Sequence, residues 1–449
     1  MHVVIIGAGE VGWYLAERLG IEGHDVVVIE LDPTRAAALS AELDVQVVNG
    51  SGTSPANLQA AGIQRADILA AVSQNDEVNL VASLLAKEHG VETTIVRIQQ
   101  KELRGPSGAS LRDAVGADVV IDPDADTADE IYELIHATGA DEVYQIGRSE
   151  LSVIGATLAE DAPLAHRYLA EIGKTMGPQW GFLFGAISRG GVTTVPRGDF
   201  QLLPGDHVRV VCTNSSRKEL LELLGVAGND ARRVMVLGGG AVGSRVAERM
   251  QAEGAHVVLV ERDAERATAL AGRLKHVSVI RGEVTNTELL REESIGEMDA
   301  VIAATGEDAS NALACAFAIS EGAAYTVVVL HRLALLPLVR SFGVDAVLSP
   351  RTACANAVLR KVRGGAAGVN TFLDSDSEVD ELVVEPNSKA DGVVVSDLHL
   401  PRDILIGAVT RVDGTPEIVR GTTRLHGDDH IVVFGRPKAI DRAKAFFTV

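Results

Sequence analysis

The residues that can do chemistry here form a glycine fingerprint, and it occurs twice. Residues 7–19 read GAGEVGWYLAERL and residues 238–250 read GGGAVGSRVAERM, an offset of 238 − 7 = 231. An apolar run precedes each, Val3-Val4-Ile5-Ile6 and Val234-Met235-Val236-Leu237, and a second apolar run ends in an acid, Glu30 or Glu261, again 231 apart. In that context the spacing fits a phosphate-binding turn. Gly7 permits a tight strand-to-helix turn, Gly9 lets the backbone approach a pyrophosphate, and Gly12 lets the helix pack close to the sheet. Gly238, Gly240 and Gly243 repeat these roles. The first helical turns (Glu10 and Val11, Ala241 and Val242) offer unpaired N–H groups to phosphate at the positive end of a helix. Glu30 and Glu261 can accept hydrogen bonds from ribose hydroxyls, and a carboxylate there repels a 2′-phosphate. The chemistry is therefore that of an NAD or adenosine-phosphate site, in two copies.

Such residues need a parallel α/β scaffold, and the repeat continues as one. At an offset of 232, Gly50 pairs with Gly282, Thr53 with Thr285, Asp76 with Asp308 and Asn79 with Asn311. Apolar stretches 68–73 and 300–305 end in polar tips, Ser73 and Thr305, at the carboxyl end of a fourth strand, where ligands bind in open α/β sheets. Each copy closes on a strand and helix start, Val119 to Pro123 and Ala346 to Pro350. From about Asp141 the pattern changes to short strands and turns. The stretch around His207 recurs around His430, 430 − 207 = 223 residues later, each followed by a helical segment. The fold class read from this order is α/β: two Rossmann-like doubly wound parallel-sheet domains (1–140 and 232–366), each followed by a small α+β module (141–226 and 371–449). Gly225 to Arg232 reads as the central linker, and the acidic Ser375 to Glu381 as a solvated one.

Composition narrows the class. The chain has 449 residues, too many for one core. No apolar run reaches the roughly 18 to 20 residues of a membrane span, and the N-terminus starts directly with a strand, so no signal peptide is expected. Three scattered cysteines, Cys212, Cys315 and Cys354, argue against a disulfide framework or a zinc site. A net charge of −21 argues against nucleic acid as a partner and against direct adhesion to an anionic membrane, but not against docking to basic loops of a membrane protein.

Taken together, the doubled fingerprint, the acid after the second strand, Asn49 to Thr53 (NGSGT), Ser73-x-x-Asp76-x-x-Asn79 and the trailing small modules resemble the TrkA family of peripheral Trk potassium-uptake proteins, with two tandem RCK (KTN) units. The resemblance covers essentially the whole chain. It implies a non-enzymatic cytoplasmic protein, peripheral on the inner face of the cell membrane, that assembles as a ring, a homotetramer. The ring gates a potassium transporter subunit of TrkH, TrkG or KtrB type in response to bound NAD(H), ATP or ADP. It further implies that Gly50 and Thr53 lie near the adenine, with Gly282 matching in the second copy. Ser73, Asn79 and Arg97 would lie near the phosphates, with Thr305 matching Ser73. The second copy departs from the pattern: Arg97 maps to Val329, Asn49 to Arg281, and Arg262 follows Glu261. Two further readings stay open, an NAD-dependent oxidoreductase and a soluble sensor serving another channel or exporter.

Other signals point elsewhere. Asp122-x-Asp124-x-Asp126 resembles a calcium loop, but Thr127 stands where such a loop needs glycine. Thr127-x-x-Glu130 reads instead as a capping box opening a helix. His24, His256, His207 and His430 match across copies without forming a catalytic constellation. The apolar stretches after Ser73 (Leu80, Val81, Leu84, Leu85) and near Leu313 read as assembly surfaces or as ordinary packing.

Overall fold

A computed structural model describes the chain except residues 101–102, 104–115, 147–149, 178–179, 227–230, 363–368 and 372–376. Among the described residues four sheets form, in two pairs. The first contains β1 (His2–Ile6), β2 (Asp25–Glu30), β3 (Gln46–Asn49), β4 (Ile68–Ala71), β5 (Thr93–Arg97) and β6 (Val119–Ile121), all parallel, in the order β3-β2-β1-β4-β5-β6. The second is antiparallel: β7 (Glu142–Gln145), β8 (Leu151–Thr157), β9 (Phe182–Arg189), β10 (Val192–Thr194) and β11 (His207–Thr213), ordered β10-β9-β11-β8-β7. The third repeats the first: β12 (Arg233–Leu237), β13 (His256–Glu261), β14 (Val277–Arg281), β15 (Ala300–Ala303), β16 (Thr326–Val329) and β17 (Ala346–Leu348), ordered β14-β13-β12-β15-β16-β17. The fourth repeats the second: β18 (Val369–Thr371), β19 (Glu378–Val383), β20 (Ile404–Thr410), β21 (Pro416–Ile418) and β22 (His430–Gly435), ordered β18-β19-β22-β20-β21. Both parallel sheets are doubly wound about their first strand, so the strand order reverses between β1 and β4 and between β12 and β15, where a crevice opens at the carboxyl ends.

The strands of the parallel sheets are near-continuous apolar runs, because helices cover both faces. Val3, Val4, Ile5 and their counterparts Val234, Met235, Val236 are fully buried. The helix that closes each parallel sheet does not stay with it. The chain divides into two compact units, 1–126 with 350–364, and 127–349 with 365–449. In the first unit the Pro350–Val362 helix, which follows β17, buries Cys354, Ala355, Val358, Leu359 and Val362 in the core formed by Val3, Ile5, Leu15 and Leu19. In the second unit the reciprocal exchange occurs. The Pro123–Ile135 helix, which follows β6, buries Ala128, Ile131 and Leu134 in the core around Val246 and Met250. Asp129 pairs with Arg249, and Tyr132 and His136 bond Glu253.

Within the second unit the two antiparallel sheets share an apolar cluster that includes Val211, Val153, Val432 and Phe434. The Phe434 ring occupies the space that Cβ atoms at Gly185 and Gly407 would fill, so both positions need glycine for this packing. Arg209, only 1% exposed, forms a paired bond to the Glu142 carboxylate at 2.8 and 3.0 Å. Burial opposes ionisation of Glu142, but the Arg209 guanidinium outweighs it and holds the carboxyl below its usual range. Next to it His207 Nε2 meets Asp141 at 2.8 Å, and His430 Nδ1 meets Glu381 at 2.9 Å in the repeat.

Two local expectations are corrected. The Thr127–Glu130 capping box does not form, because the helix begins at Pro123 and Thr127 is buried inside it. Asp122 Oδ1 caps it instead, accepting from the Ala125 N–H at 3.2 Å, and proline in the first turn gives up an N–H that would go unpaired. The acidic stretch up to Glu381 is not a solvated linker: from Glu378 it is β19, paired on both sides, with Glu378, Asp380 and Glu381 buried. The part of that stretch at 374–376 lies outside the described residues.

Burial alone would push the His207 imidazole down, but the Asp141 carboxylate outweighs it and holds His207 above its ordinary value. Raised in the folded state, His207 contributes stability that is complete below its unfolded pKa and lost as pH rises through the folded one. The stability difference between wild type and His207→Gln should therefore shrink between about pH 6 and pH 9. Denaturant unfolding at both pH values checks this, and a difference independent of pH would refute the pairing.

Candidate functional site

Each crevice is built by the same close approach. Gly7 (φ +96°) and Gly238 (φ +110°) turn the chain out of the first strand in a left-handed conformation that other residues resist. A Cβ on Gly7 would also stand 2.9 Å from the Ser73 Cα, and one on Gly12 or Gly243 would overlap the carbonyl oxygen of Gly7 or Gly238. These four glycines are explained by the protein's own packing. Gly9 and Gly240 are not. Gly9 has φ −64°, which any residue adopts, and a Cβ at Gly9 or Gly240 would meet no protein atom within 4 Å. Each is the N-cap of the following helix, Glu10–Ile21 or Ala241–Ala252, and neither helix start is capped by a side chain. The first-turn N–H groups of Glu10, Val11 and Gly12, and of Ala241, Val242 and Gly243, thus front an open space where only glycine allows a ligand close to the backbone.

The acids lie at the next strand end. Glu30, 6% exposed, accepts the N–H of Ala8 at 2.5 Å and of Asp32 at 2.8 Å. Glu261 accepts the N–H of Gly239 at 2.9 Å and of Asp263 at 2.8 Å, with Arg266 at 3.4 Å. Each carboxylate ties the fingerprint loop to the end of the second strand. The loop after the third strand is held beside it: Gly50 N donates to Glu30 O at 2.8 Å, and Gly282 N to Glu261 O at 3.0 Å. Thr53 sits within that loop, its hydroxyl 2.8 Å from the Ser51 hydroxyl.

At the fourth strand the structure separates two residues that the sequence pattern groups together. Ser73 lies at the tip, against Gly7. Asn79 is fully buried beneath it, and every atom of its amide is used within the protein. Oδ1 accepts from Ser73 N at 3.0 Å and Ser73 Oγ at 2.7 Å, while Nδ2 donates to Ser73 O and Arg97 O at 3.0 Å each. Asn79 is therefore a brace that positions Ser73 and Arg97, rather than a group facing a ligand. Asn311 does the same for Thr305, donating to Thr305 O and to Val329 O. Arg97 reaches Ser73 O at 3.4 Å, and its buried Nε has no partner among the described residues.

Sequence reasoning paired Asp76 with Asp308 without assigning either a role. Asp76 accepts the N–H groups of Gln99 and Gln100, and Asp308 those of His331 and Arg332, so each pins the loop after the fifth strand. Burial opposes the charge of Asp308, but those N–H groups outweigh it and hold the carboxyl below its usual range. Arg262 and Glu307 are a further pair that pattern alone did not connect. They bond at 2.8 Å, and both line the second crevice with Gly238, Gly240, Glu261, Arg266 and Thr305.

The TrkA-N domain family matches residues 3–142 and again 234–350, and the TrkA-C domain family matches 153–225 and 379–448. A Trk system potassium uptake protein TrkA homolog of Archaeoglobus fulgidus is 35% identical over 454 residues, covering all of both chains. The Trk system potassium uptake protein TrkA of Azorhizobium caulinodans is 31% identical, over 100% of this chain and 99% of its own. Among solved structures, the GsuK channel bound to NAD is similar in fold, with a TM-score of 0.61 at 18% identity, over 99% of this chain and 78% of its own.

Replacing Asn79 by alanine leaves the Ser73 amide and the Arg97 carbonyl without their side-chain partner, and leaves the Ser73 carbonyl only the Arg97 guanidinium at 3.4 Å. Each buried group so exposed costs about 1–3 kcal/mol. Asn79→Ala should lower the stability of the first unit by at least that much in denaturant unfolding, whereas Ser73→Ala, at the solvent-facing tip, should change it far less.

Proposed function

The chain belongs to the TrkA family of Trk-system potassium uptake proteins, and we propose that it is the nucleotide-binding regulatory subunit of such a system, acting on a membrane potassium transporter. The observation that carries the nucleotide site is the pair Gly9 and Gly240. They are glycines with ordinary backbone angles and empty space where a side chain would stand, at uncapped helix starts. A pyrophosphate against those N–H groups accounts for both. Glu30, at the end of the second strand, would take the ribose hydroxyls, and repulsion between its carboxylate and a 2′-phosphate favours NAD(H), ATP or ADP. Gly50 and Thr53 would border the adenine, and Ser73 and Arg97 the phosphates.

The two crevices differ in charge. The second is lined by Glu261, Glu283 and Glu307 against Arg262 and Arg266. At the matching positions the first has Glu30, Ser51 and Asn75 against Leu31 and Arg35, with Arg97 where the second has Val329. The first crevice is the more cationic and is the one suited to phosphate-rich ligands. A ligand that bound all conformations of the subunit equally would regulate nothing, so the effector must favour one arrangement. Such a subunit would work from the cytoplasmic side as a homo-oligomer, a tetramer by family resemblance. Among the described residues no helix is long and apolar enough to cross a membrane, so contact with the transporter would be peripheral. The role is regulatory, with the nucleotide as effector rather than as reactant.

Calorimetric titration of the full-length protein with ATP, ADP, NAD and NADH tests this. At least one should bind, and Glu30→Ala should weaken ribose-bearing ligands about tenfold or more, the loss of charge-assisted hydrogen bonds. Potassium uptake by cells that carry the transporter but lack its own regulator should depend on this chain and fall in the Glu30→Ala variant. Binding of none of the four nucleotides, or binding indifferent to Glu30, would overturn the reading.

A further inference from the structure

Glu10 is the first residue after Gly9, at the mouth of the first crevice. Its carboxylate forms an ion pair with Arg351, in the first turn of the Pro350–Val362 helix. The partners are over three hundred residues apart in sequence and meet because that helix packs in the first unit's core through Cys354, Ala355 and Val358. Both side chains keep access to solvent, Glu10 at 47% and Arg351 at 25% exposure. Arg97 approaches the same helical turn. Burial pushes the Cys354 thiol up to about 12, while the positive charge of Arg97 acts on it in the opposite sense. Arg351 thus stands at Glu10, while Arg97, from a separate element, reaches Ser73 O and acts on Cys354 in the same helix.

A phosphate seated on the N–H groups of Glu10, Val11 and Gly12 would lie beside the Glu10 carboxylate. Two anions that close repel unless a cation stands between them or the carboxylate turns away. Arg351 is already at that carboxylate, and its planar fork of five donors can span two oxyanions or exchange one for the other. We propose that Arg351 is a phosphate-binding residue of the first crevice, held on Glu10 in the absence of ligand and transferred to the nucleotide phosphate on binding. This rests on the reading that the first crevice takes a nucleotide. The second crevice has no such device, because Ala241 and Asp124 occupy the matching positions. The helix that carries Arg351 follows β17 directly, so capture of a phosphate in the first crevice acts on a segment tethered to the second parallel sheet.

Calorimetric titration with ADP and NADH of the full-length wild type, Arg351→Ala, Arg351→Lys and Glu10→Gln tests the proposal, with thermal unfolding of each as a control for folding. Arg351→Ala should weaken ADP binding about tenfold or more, the effect of losing a charge-assisted contact. Arg351→Lys should fall between it and wild type, because it retains the charge without the fork. Glu10→Gln should tighten binding severalfold, since the competing carboxylate is removed. A purely structural ion pair would shift affinity in the same direction in Arg351→Ala and Glu10→Gln, and that result, or wild-type affinity in Arg351→Ala, would overturn the proposal. Failure of wild type to bind ADP and NADH, and ATP and NAD as well, would instead overturn the functional reading on which it rests, and the proposal with it.

Discussion

Each parallel sheet depends on how closely a helix can start behind the strand that leads into it. At Gly7 the chain leaves β1 in a left-handed conformation, and by Gly12 it has returned so near that a single added carbon would overlap the Gly7 carbonyl oxygen. The Gly238–Gly243 turn has the same geometry. That contact sets the helix axis against the sheet and aims its first N–H groups out of the carboxyl edge. The remaining parts of the crevice are arranged around it. Glu30 or Glu261 binds the loop's own N–H groups from the neighbouring strand, and Asn79 or Asn311 braces the opposite lip. Much of the polar chemistry near the crevice therefore shapes it, and what is left facing outward is mainly backbone.

The two halves share this frame and differ in what surrounds it. In the second, Arg262 and Glu307 neutralise one another across the crevice lining. In the first, Leu31 and Asn75 stand at those positions, and the cations present, Arg97 and Arg351, lie beside Ser73 and Glu10 instead. The two copies keep the glycines, acids and asparagines that hold the backbone and differ at residues on the rim. A glycine wedged against a carbonyl tolerates no change, whereas a rim residue can vary without disturbing the fold.

How much of this was legible in the sequence follows from the range of each interaction. The turn, the acid and the strand order rest on local chemistry and on a register repeated at 231 or 232 residues, so they can be read directly. The Ser73-x-x-Asp76-x-x-Asn79 spacing groups Asn79 with the fourth-strand tip, but it does not reveal that the amide is consumed by Ser73 and the Arg97 carbonyl rather than offered outward. The acidic letters of Glu378, Asp380 and Glu381 hid a strand, because buried carboxylates there are accommodated by pairing such as that of Glu381 with His430. The pattern at Cys354, Ala355, Val358, Leu359 and Val362 announces one apolar helical face. Nothing local says which sheet that face covers, and the Glu10–Arg351 pair follows from that placement alone.

The exchange of closing helices bears on where this chain can be divided. A fragment ending near residue 226 would retain all six strands of the first sheet but lose the helix whose Val358, Leu359 and Val362 complete that core. It would keep the Pro123–Ile135 helix, with Ala128, Ile131 and Leu134 now deprived of the surface they cover. Such a half-length product is left with an apolar helix to give and an apolar face to fill, and two copies can satisfy each other by mutual donation. A protein of half this length would meet both needs as an interlocked pair. In this chain the same exchange is made within one polypeptide, so the two helices and the two faces that receive them need not be alike.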